Sequence, residues 1–252
     1  MAKPDLKCFN AAISACEKAA KWEEAVKLLR KMTEVGIRPD VVSYSSAISA
    51  CEKGVQTDIA LSLLDEMKAE GIRPNDYSYN SAITSCEKGG AKYTDTALSL
   101  FNEMKEAGVK PDGVTYTTIT KACFDSTRYS EALLKTREAA DLGLRTNSRR
   151  MCIDVSTEND QAKWDLHDLT EATACMLLSD ALLNLVASNA GPPLYFQDIT
   201  INTGKGQVLR ERVPAFLSNS AGVRDYCHRR ERGRISHHSC ITRRVGDIGG
   251  IQ

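Results

Sequence analysis

One phrase recurs in this chain at a fixed step. Asn10-Ala-Ala-Ile-Ser-Ala-Cys-Glu-Lys18 returns as Ser45-Ser-Ala-Ile-Ser-Ala-Cys-Glu-Lys53 and again as Asn80-Ser-Ala-Ile-Thr-Ser-Cys-Glu-Lys88, 35 residues apart each time. A period of this length marks a stacked repeat array, in which each unit covers its neighbour and no unit is stable alone. Residues must therefore be read by their phase within the unit.

Each unit holds two amphipathic patterns. The first has Phe9, Ala12, Ile13 and Cys16, then Tyr44, Ala47, Ile48 and Cys51, then Tyr79, Ala82, Ile83 and Cys86. The spacing i, i+3, i+4, i+7 is one face of an α-helix. The second pattern has Ala25, Leu28, Leu29 and Met32, with equivalents Ala60, Leu63, Leu64, Met67 and Ala97, Leu100, Phe101, Met104. Gly36, Gly71 and Gly108 follow as helix stops, and Pro39, Pro74 and Pro111 bar continuation. The expected fold is an α-helical solenoid of four helix–turn–helix units at 6–40, 41–75, 76–112 and 113–147, followed by a small α/β domain. The third unit is two residues longer, an insertion expected near 89–93. The fourth is degenerate, with Lys135 and Thr136 where the others carry two large apolar residues.

Nine cysteines raise the question of disulfides or zinc. Cys16, Cys51, Cys86 and Cys123 share one phase, where a small apolar group suits a packed helix, and no Cys-x-x-Cys pair occurs. Cysteine is read as a core residue in a reducing compartment. No apolar run approaches the roughly 20 residues of a membrane span, so no membrane partner is expected. Lys plus Arg balances Asp plus Glu, 33 against 33, but seven arginines between Arg224 and Arg244 face only Asp225 and Glu231.

The unit length, the Phe or Tyr near each start and the Gly-Ile/Val-Lys/Arg-Pro-Asp/Asn ending resemble the pentatricopeptide repeat family over residues 6–147. That resemblance implies single-stranded RNA binding, one base per unit, read by the fifth and last residues. The pairs are Asn10 with Asp40, Ser45 with Asn75, Asn80 with Asp112, and Thr117 with Asn147. Under the family's code they spell 5′-UAUA-3′. The second residue of each unit flanks the base: Val42, Tyr77 and Val114, with Lys7 atypical. Lys18, Lys53 and Lys88 recur one turn along and suit phosphates, whereas Asp125 stands there in the fourth unit. Asn, Ser and Thr near helix starts also serve as caps, and Asp after Pro as turn chemistry. The alternation of the pairs over four units favours recognition. Four bases recur roughly once in 256 random sites, so a longer array or protein partners are expected to complete the address.

The pattern changes after residue 147. Residues 148–160 are polar and read as a linker. Residues 163–167 read as a strand, 170–186 as an amphipathic helix, 196–201 as a strand and 208–217 as a helix, a small α/β unit over 161–222. Trp164-Asp-Leu-His-Asp-Leu-Thr170 with Thr203-Gly-Lys-Gly206 resembles the small MutS-related (SMR) domain family, in its Leu-Asp-x-His-Gly and Thr-Gly-x-Gly motifs. Trp164 and Asp168 depart from it, replacing leucine and glycine. The resemblance implies nucleic-acid nicking, with Asp165 and His167 as the catalytic pair and Thr203, Gly204, Lys205 and Gly206 as a phosphate loop. Asp165 also suits magnesium or another divalent cation, although the sequence shows no ligand cluster. Asp168 beside Asp165 sets negative charge against a phosphate. Residues 223–252 read as a basic, disordered tail, and Cys227, His228, His237, His238 and Cys240 fit no common zinc spacing.

The functional expectation is an organellar RNA-processing protein whose solenoid delivers an SMR domain with RNA endonuclease activity to a transcript. The alternatives are a noncatalytic RNA adaptor and a protein-interaction scaffold. The organelle follows from the resemblance, since no targeting peptide is recognised at the start of the chain.

Overall fold

The computed structural model describes residues 5–146, 149–150, 154–158, 161–166, 169–187 and 200–202. The chain divides into two compact units, Met1–Arg128 and Tyr129–Gln252. In the first, α1 (Leu6–Lys18) and α2 (Trp22–Glu34), α3 (Val41–Lys53) and α4 (Thr57–Ala69), and α5 (Asp76–Gly89) and α6 (Thr94–Glu106) form three helical hairpins. A seventh helix, α7 (Gly113–Asp125), follows them. The first helices stack as α1 on α3, α3 on α5 and α5 on α7, with α2, α4 and α6 packed behind.

The core is the periodic set. Tyr44, Ile48, Cys51, Leu64, Met67, Tyr79, Ile83, Phe101, Met104 and Tyr116 are all at most 2% exposed. Each large side chain buried this way contributes about 1.5–3 kcal/mol. Phe101 and Tyr116 meet edge to face with centroids 5.1 Å apart. Burial also settles the cysteines' chemistry: it pushes the Cys51 thiol up to about 11 and Cys86 to about 12, so both stay protonated and inert.

Helix ends use local chemistry. Asp5, Asp40, Asn75 and Asp112 cap α1, α3, α5 and α7 through side chains that each accept a backbone N–H at 2.9 Å. Gly36 has φ +77°, and beyond it the Ile37 N–H reaches the Met32 carbonyl at 2.8 Å, closing the hairpin. The third unit, two residues longer, takes up its extra length in a short 3-10 turn, Ala91–Tyr93. There the Tyr93 ring lies against Gly89 and its hydroxyl donates to Asp58 at 2.7 Å.

The second unit holds α8 (Tyr129–Asp141), a ribbon of β1 (Arg145–Thr146) with β2 (Arg149–Arg150), then β3 (Asp154–Glu158), β4 (Gln161–Asp165), α9 (Glu171–Ala187) and β5 (Thr200–Asn202). Helices α8 and α9 pack together, with Arg137 donating to Asp180 at 2.6 Å. The sheet order is β3-β4-β5; β3 and β4 are antiparallel, β4 and β5 parallel.

Two expected bounds can be set beside the observed elements. The segment read as a linker, 148–160, contains β2 and β3. Among the described residues β3 lies at the sheet edge and pairs with β4 alone, and its polar residues give no apolar alternation to read. The unit expected at 113–147 is divided, α7 falling in the first compact unit and α8 in the second. The weak apolar pattern of α8 fits this: Lys135 and Thr136 replace the large pair, and the buried Thr136 hydroxyl turns back to the Ala132 carbonyl at 2.8 Å. The helix expected at 208–217 and the tail lie outside the described residues, as do residues 196–199 of the second expected strand.

The turns that join α1 to α2, α3 to α4 and α5 to α6 each use one residue with positive φ: Ala20, Val55 and Gly90, at +53°, +55° and +89°; Thr127, after α7, stands at +59°. A branched residue is costly there, by about 1–2 kcal/mol. Val55 is 54% exposed, so little packing is lost with its side chain. Val55→Gly is expected to raise stability by about 0.5–1 kcal/mol in urea denaturation, net of glycine's extra freedom in the unfolded chain. An unchanged or lower midpoint would contradict strain at this turn.

Candidate nucleic-acid interface

The residues expected to act in pairs meet in space. The Asn10 amide donates to both Asp40 carboxylate oxygens, at 3.1 and 3.2 Å. The Asn80 amide reaches Asp112 at 3.5 Å. Ser45 Oγ lies 3.3 Å from Asn75 Oδ1. In every case the first member sits one turn into a first helix and the second caps the next first helix, so stacking alone joins them. Thr117 Oγ1 donates to the Gly113 carbonyl at 2.7 Å; its partner Asn147 lies outside the described residues.

A third residue, which the sequence reading missed, holds each pair. Ser43, Ser78 and Thr115 are the third helical residues of α3, α5 and α7, and with the caps they complete capping boxes. The Thr115 hydroxyl lies 2.6 Å from Asn80 Oδ1 and 2.8 Å from Asp112 Oδ1. Ser43 stands likewise 2.5 Å from Asn10 Oδ1 and 2.9 Å from Asp40 Oδ1. The single hydroxyl proton serves one acceptor at a time. Ser78 Oγ lies 2.7 Å from Ser45 Oγ. The available signal was the hydroxyl three residues after each Asp or Asn. Among the described residues the Asn80 amide donates only to Asp112, which leaves one N–H for a further acceptor without dismantling the cap. Burial pushes the Asp40 carboxyl up, but hydrogen bonds from Ser43 and Asn10 outweigh that and hold it below its ordinary value. Asp40 is thus an anion and an acceptor at neutral pH.

Val42, Tyr77 and Val114 are 49%, 44% and 54% exposed, large apolar groups in the open at the second position of each unit. Tyr77 is also tied across the stack. Its hydroxyl donates to Glu17 at 2.8 Å and approaches Ser49 at 3.1 Å, joining three successive units.

The recurrent lysines are mostly committed. Lys53 pairs with Glu17 of the preceding unit at 2.7 Å, and Lys88 pairs in the same way with Glu52. In the fourth unit Asp125 occupies the lysine's place, yet the rung persists, because Lys121 reaches both Glu87 and Asp125. A phosphate would have to share these ammonium groups with carboxylates. Lys18 is exposed. On the second helices Glu66 accepts from the Tyr44 hydroxyl at 2.9 Å and from Arg30, and Glu103 accepts from Tyr79 at 2.9 Å and Lys68 at 2.7 Å. Where the first unit has Phe9, with no hydroxyl to place, the residue matching Glu66 is Lys31.

In the second compact unit Asp165 ends β4, in register with Asp154 on β3 and Asn202 on β5. Since β4 and β5 are parallel, Asp165 and Asn202 stand together at their carboxyl ends, the edge at which open α/β sheets take ligands. His167, Asp168, Thr203, Gly204, Lys205 and Gly206 lie outside the described residues.

The pentatricopeptide repeat domain pattern matches residues 2–54, 27–89 and 62–126. No curated protein matches the chain. Among solved structures, the pentatricopeptide repeat protein PPR10 in complex with an 18-nt psaJ RNA element aligns at TM-score 0.52 and 20% identity, over 75% of this chain and 25% of PPR10. The PPR domain of Arabidopsis thaliana protein-only RNase P 1, in complex with tRNA, aligns at TM-score 0.50 and 19% identity, over 57% of this chain and 75% of that one. At these identities the likeness is one of fold, and the chain spans about a quarter of PPR10's length.

Glu17 offers a test of the ladder. Burial, the largest single effect, pushes its carboxyl up, but the hydrogen bonds from Lys53, Tyr77 and Ser49 together hold it below the ordinary 4.5. A lowered native value stabilises the fold above the unfolded-state value, and that stability is lost as pH falls through the native one. Glu17→Gln is expected to cost about 2 kcal/mol at pH 7 and to flatten the acid limb of the stability profile. Equal acid limbs in urea titrations of the two proteins would contradict the coupling.

Proposed function

We propose that this chain, whose residues 2–126 are pentatricopeptide repeats, binds single-stranded RNA in register, one base per repeat, with 5′-UAUA-3′ as its core. The observation that carries this is the recurrence of one geometry: a fifth residue and a capping residue meet at each junction between successive units, held by a hydroxyl from the next helix. The Asn10–Asp40 and Asn80–Asp112 pairs read uracil; Ser45–Asn75 and Thr117–Asn147 read adenine. Val42, Tyr77 and Val114 flank the bases, and Lys18, Lys53 and Lys88 meet phosphates. The RNA partners of PPR10 and of the RNase P repeat domain support the same ligand class here. Four repeats over 6–147 bind the transcript within an organelle, alongside RNA-processing partners.

The proposal extends to residues 161–222 as an SMR domain, joined through 148–160 and followed by a basic tail over 223–252. Asp165 and His167 are its catalytic pair, and Thr203, Gly204, Lys205 and Gly206 its phosphate loop. The placement of Asp165 and Asn202 at neighbouring strand ends favours this, because His167 and Thr203 follow within two residues of them. If the domain cleaves RNA, the protein is an endonuclease guided by its repeats, with magnesium or another divalent cation as cofactor. If not, it is an RNA-binding adaptor.

Two experiments decide these points. In gel-shift titrations, Asn10→Ser with Asp40→Asn is expected to switch preference from UAUA to AAUA by about ten- to a hundredfold. Parallel loss on both RNAs would contradict reading by that pair. Incubation with labelled UAUA RNA and magnesium is expected to yield cleavage by the native chain and intact, shifted RNA with His167→Ala. Intact RNA in both leaves the adaptor, and no shift at low salt leaves the protein scaffold.

A further inference from the structure

Tyr77 stands at the second position of its unit, where the second and fourth units have Val42 and Val114. Valine ends at its branch, whereas the tyrosine runs back across the stack. Its hydroxyl donates to Glu17 of α1 at 2.8 Å and lies 3.1 Å from Ser49 of α3. Both partners are covered, Glu17 at 8% exposure and Ser49 at 2%. Ser14 and Thr84 hold Ser49's phase in the first and third units, each followed by a unit with valine at its second position, and both are part-exposed. The reading residue one helical turn before Ser49 behaves likewise. Ser45 is 4% exposed, whereas Asn10, Asn80 and Thr117 at its phase are part-exposed. The inner face is thus closed at the second unit, the one that a tyrosine follows.

We propose that Tyr77 is a specificity-determining residue, which closes the reading position of the second unit while its hydroxyl is tied to Glu17 and Ser49. Helices α3 and α5 pack side by side. A ring that starts in the first turn of α5 and ends at Ser49, in the third turn of α3, passes the level of Ser45. A base has no room to meet Ser45 and Asn75 while the ring lies there. Reading the second base therefore requires the tie to break. Glu17 keeps Lys53 when it does, so its carboxylate is not left unpaired. A mismatched second base leaves the tie intact, so the gain from the right base is reduced by the cost of opening. The first and third bases bear no such cost and carry more of the discrimination. The specificity role rests on the RNA reading above; the closure rests on hydrogen bonds and burial alone.

Two measurements test the two parts separately. In the first, Ser45→Cys is the probe, and its alkylation is followed by peptide mass spectrometry without RNA. Alkylation is expected to be about tenfold faster when Tyr77→Phe removes the tie, the weight of one hydrogen bond to a charged group. Tyr77→Val, the residue of the second and fourth units, is expected to open the position at least as far. Equal rates in all three chains overturn the closure. A rate that rises with Tyr77→Val but not with Tyr77→Phe overturns the part played by the hydroxyl. In the second, gel-shift titrations keep Ser45. The native chain is expected to prefer UAUA over UCUA by less than it prefers UAUA over UACA. Tyr77→Phe is expected to raise the first ratio by about five- to tenfold and to leave the second near its native value. A first ratio that stays level or falls overturns the role in specificity. No shift with any RNA removes the reading and the specificity role with it, and the alkylation rates still decide the closure.

Discussion

The side chain that caps each first helix is shared with the unit before it, and the stack depends on that sharing. Asp40 satisfies the open N–H groups at the start of α3 and, in the same position, holds the Asn10 amide. Asn75 and Asp112 do the same toward Ser45 and Asn80. A cap contributes about 1 kcal/mol to its helix. Here it also fixes the rotation of one hairpin against the next, because the cap's second partner belongs to its neighbour. Capping therefore does not exclude the proposed base reading. The cap holds a polar group at a repeating place on each first helix.

A second set of contacts runs parallel to the caps. Glu17, Glu52 and Glu87 each accept a lysine from the next unit, and Lys121 keeps the last rung although it comes from a different turn of its helix. Isolated surface ion pairs contribute little. These carboxylates are mostly covered, with 10–14% side-chain exposure, so leaving one unpaired would be expensive. On the proposed RNA reading the ladder would limit affinity, because phosphates would have to draw on Lys53 and Lys88, which are already shared with carboxylates.

Much of this was legible from residues 5–126. The period, both apolar faces, the glycine stops and the insertion near Gly89 were all written in phase, because they arise from local helix chemistry repeated in each unit. The contacts between units were less legible. The sequence shows Cys-Glu-Lys three times but not that Lys53 and Lys88 pass over their neighbouring glutamates to reach the one a unit earlier. It shows Tyr77 as a stacking residue but not its hydroxyl bond to Glu17, 60 residues away. β3 was missed for another reason: a five-residue edge strand rich in polar groups has no burial pattern to display. The positive-φ turns at Ala20, Val55 and Thr127 were hidden because only the third unit uses glycine there.

The most direct measurement follows the side-chain amide resonances of Asn10 and Asn80 by NMR while UAUA RNA is added. Reading by the paired residues requires both amides to shift with UAUA and to stay in place with a scrambled RNA of equal length. Shifts of equal size with both RNAs, or binding that leaves both amides unmoved, would contradict it and return these asparagines to a purely structural role.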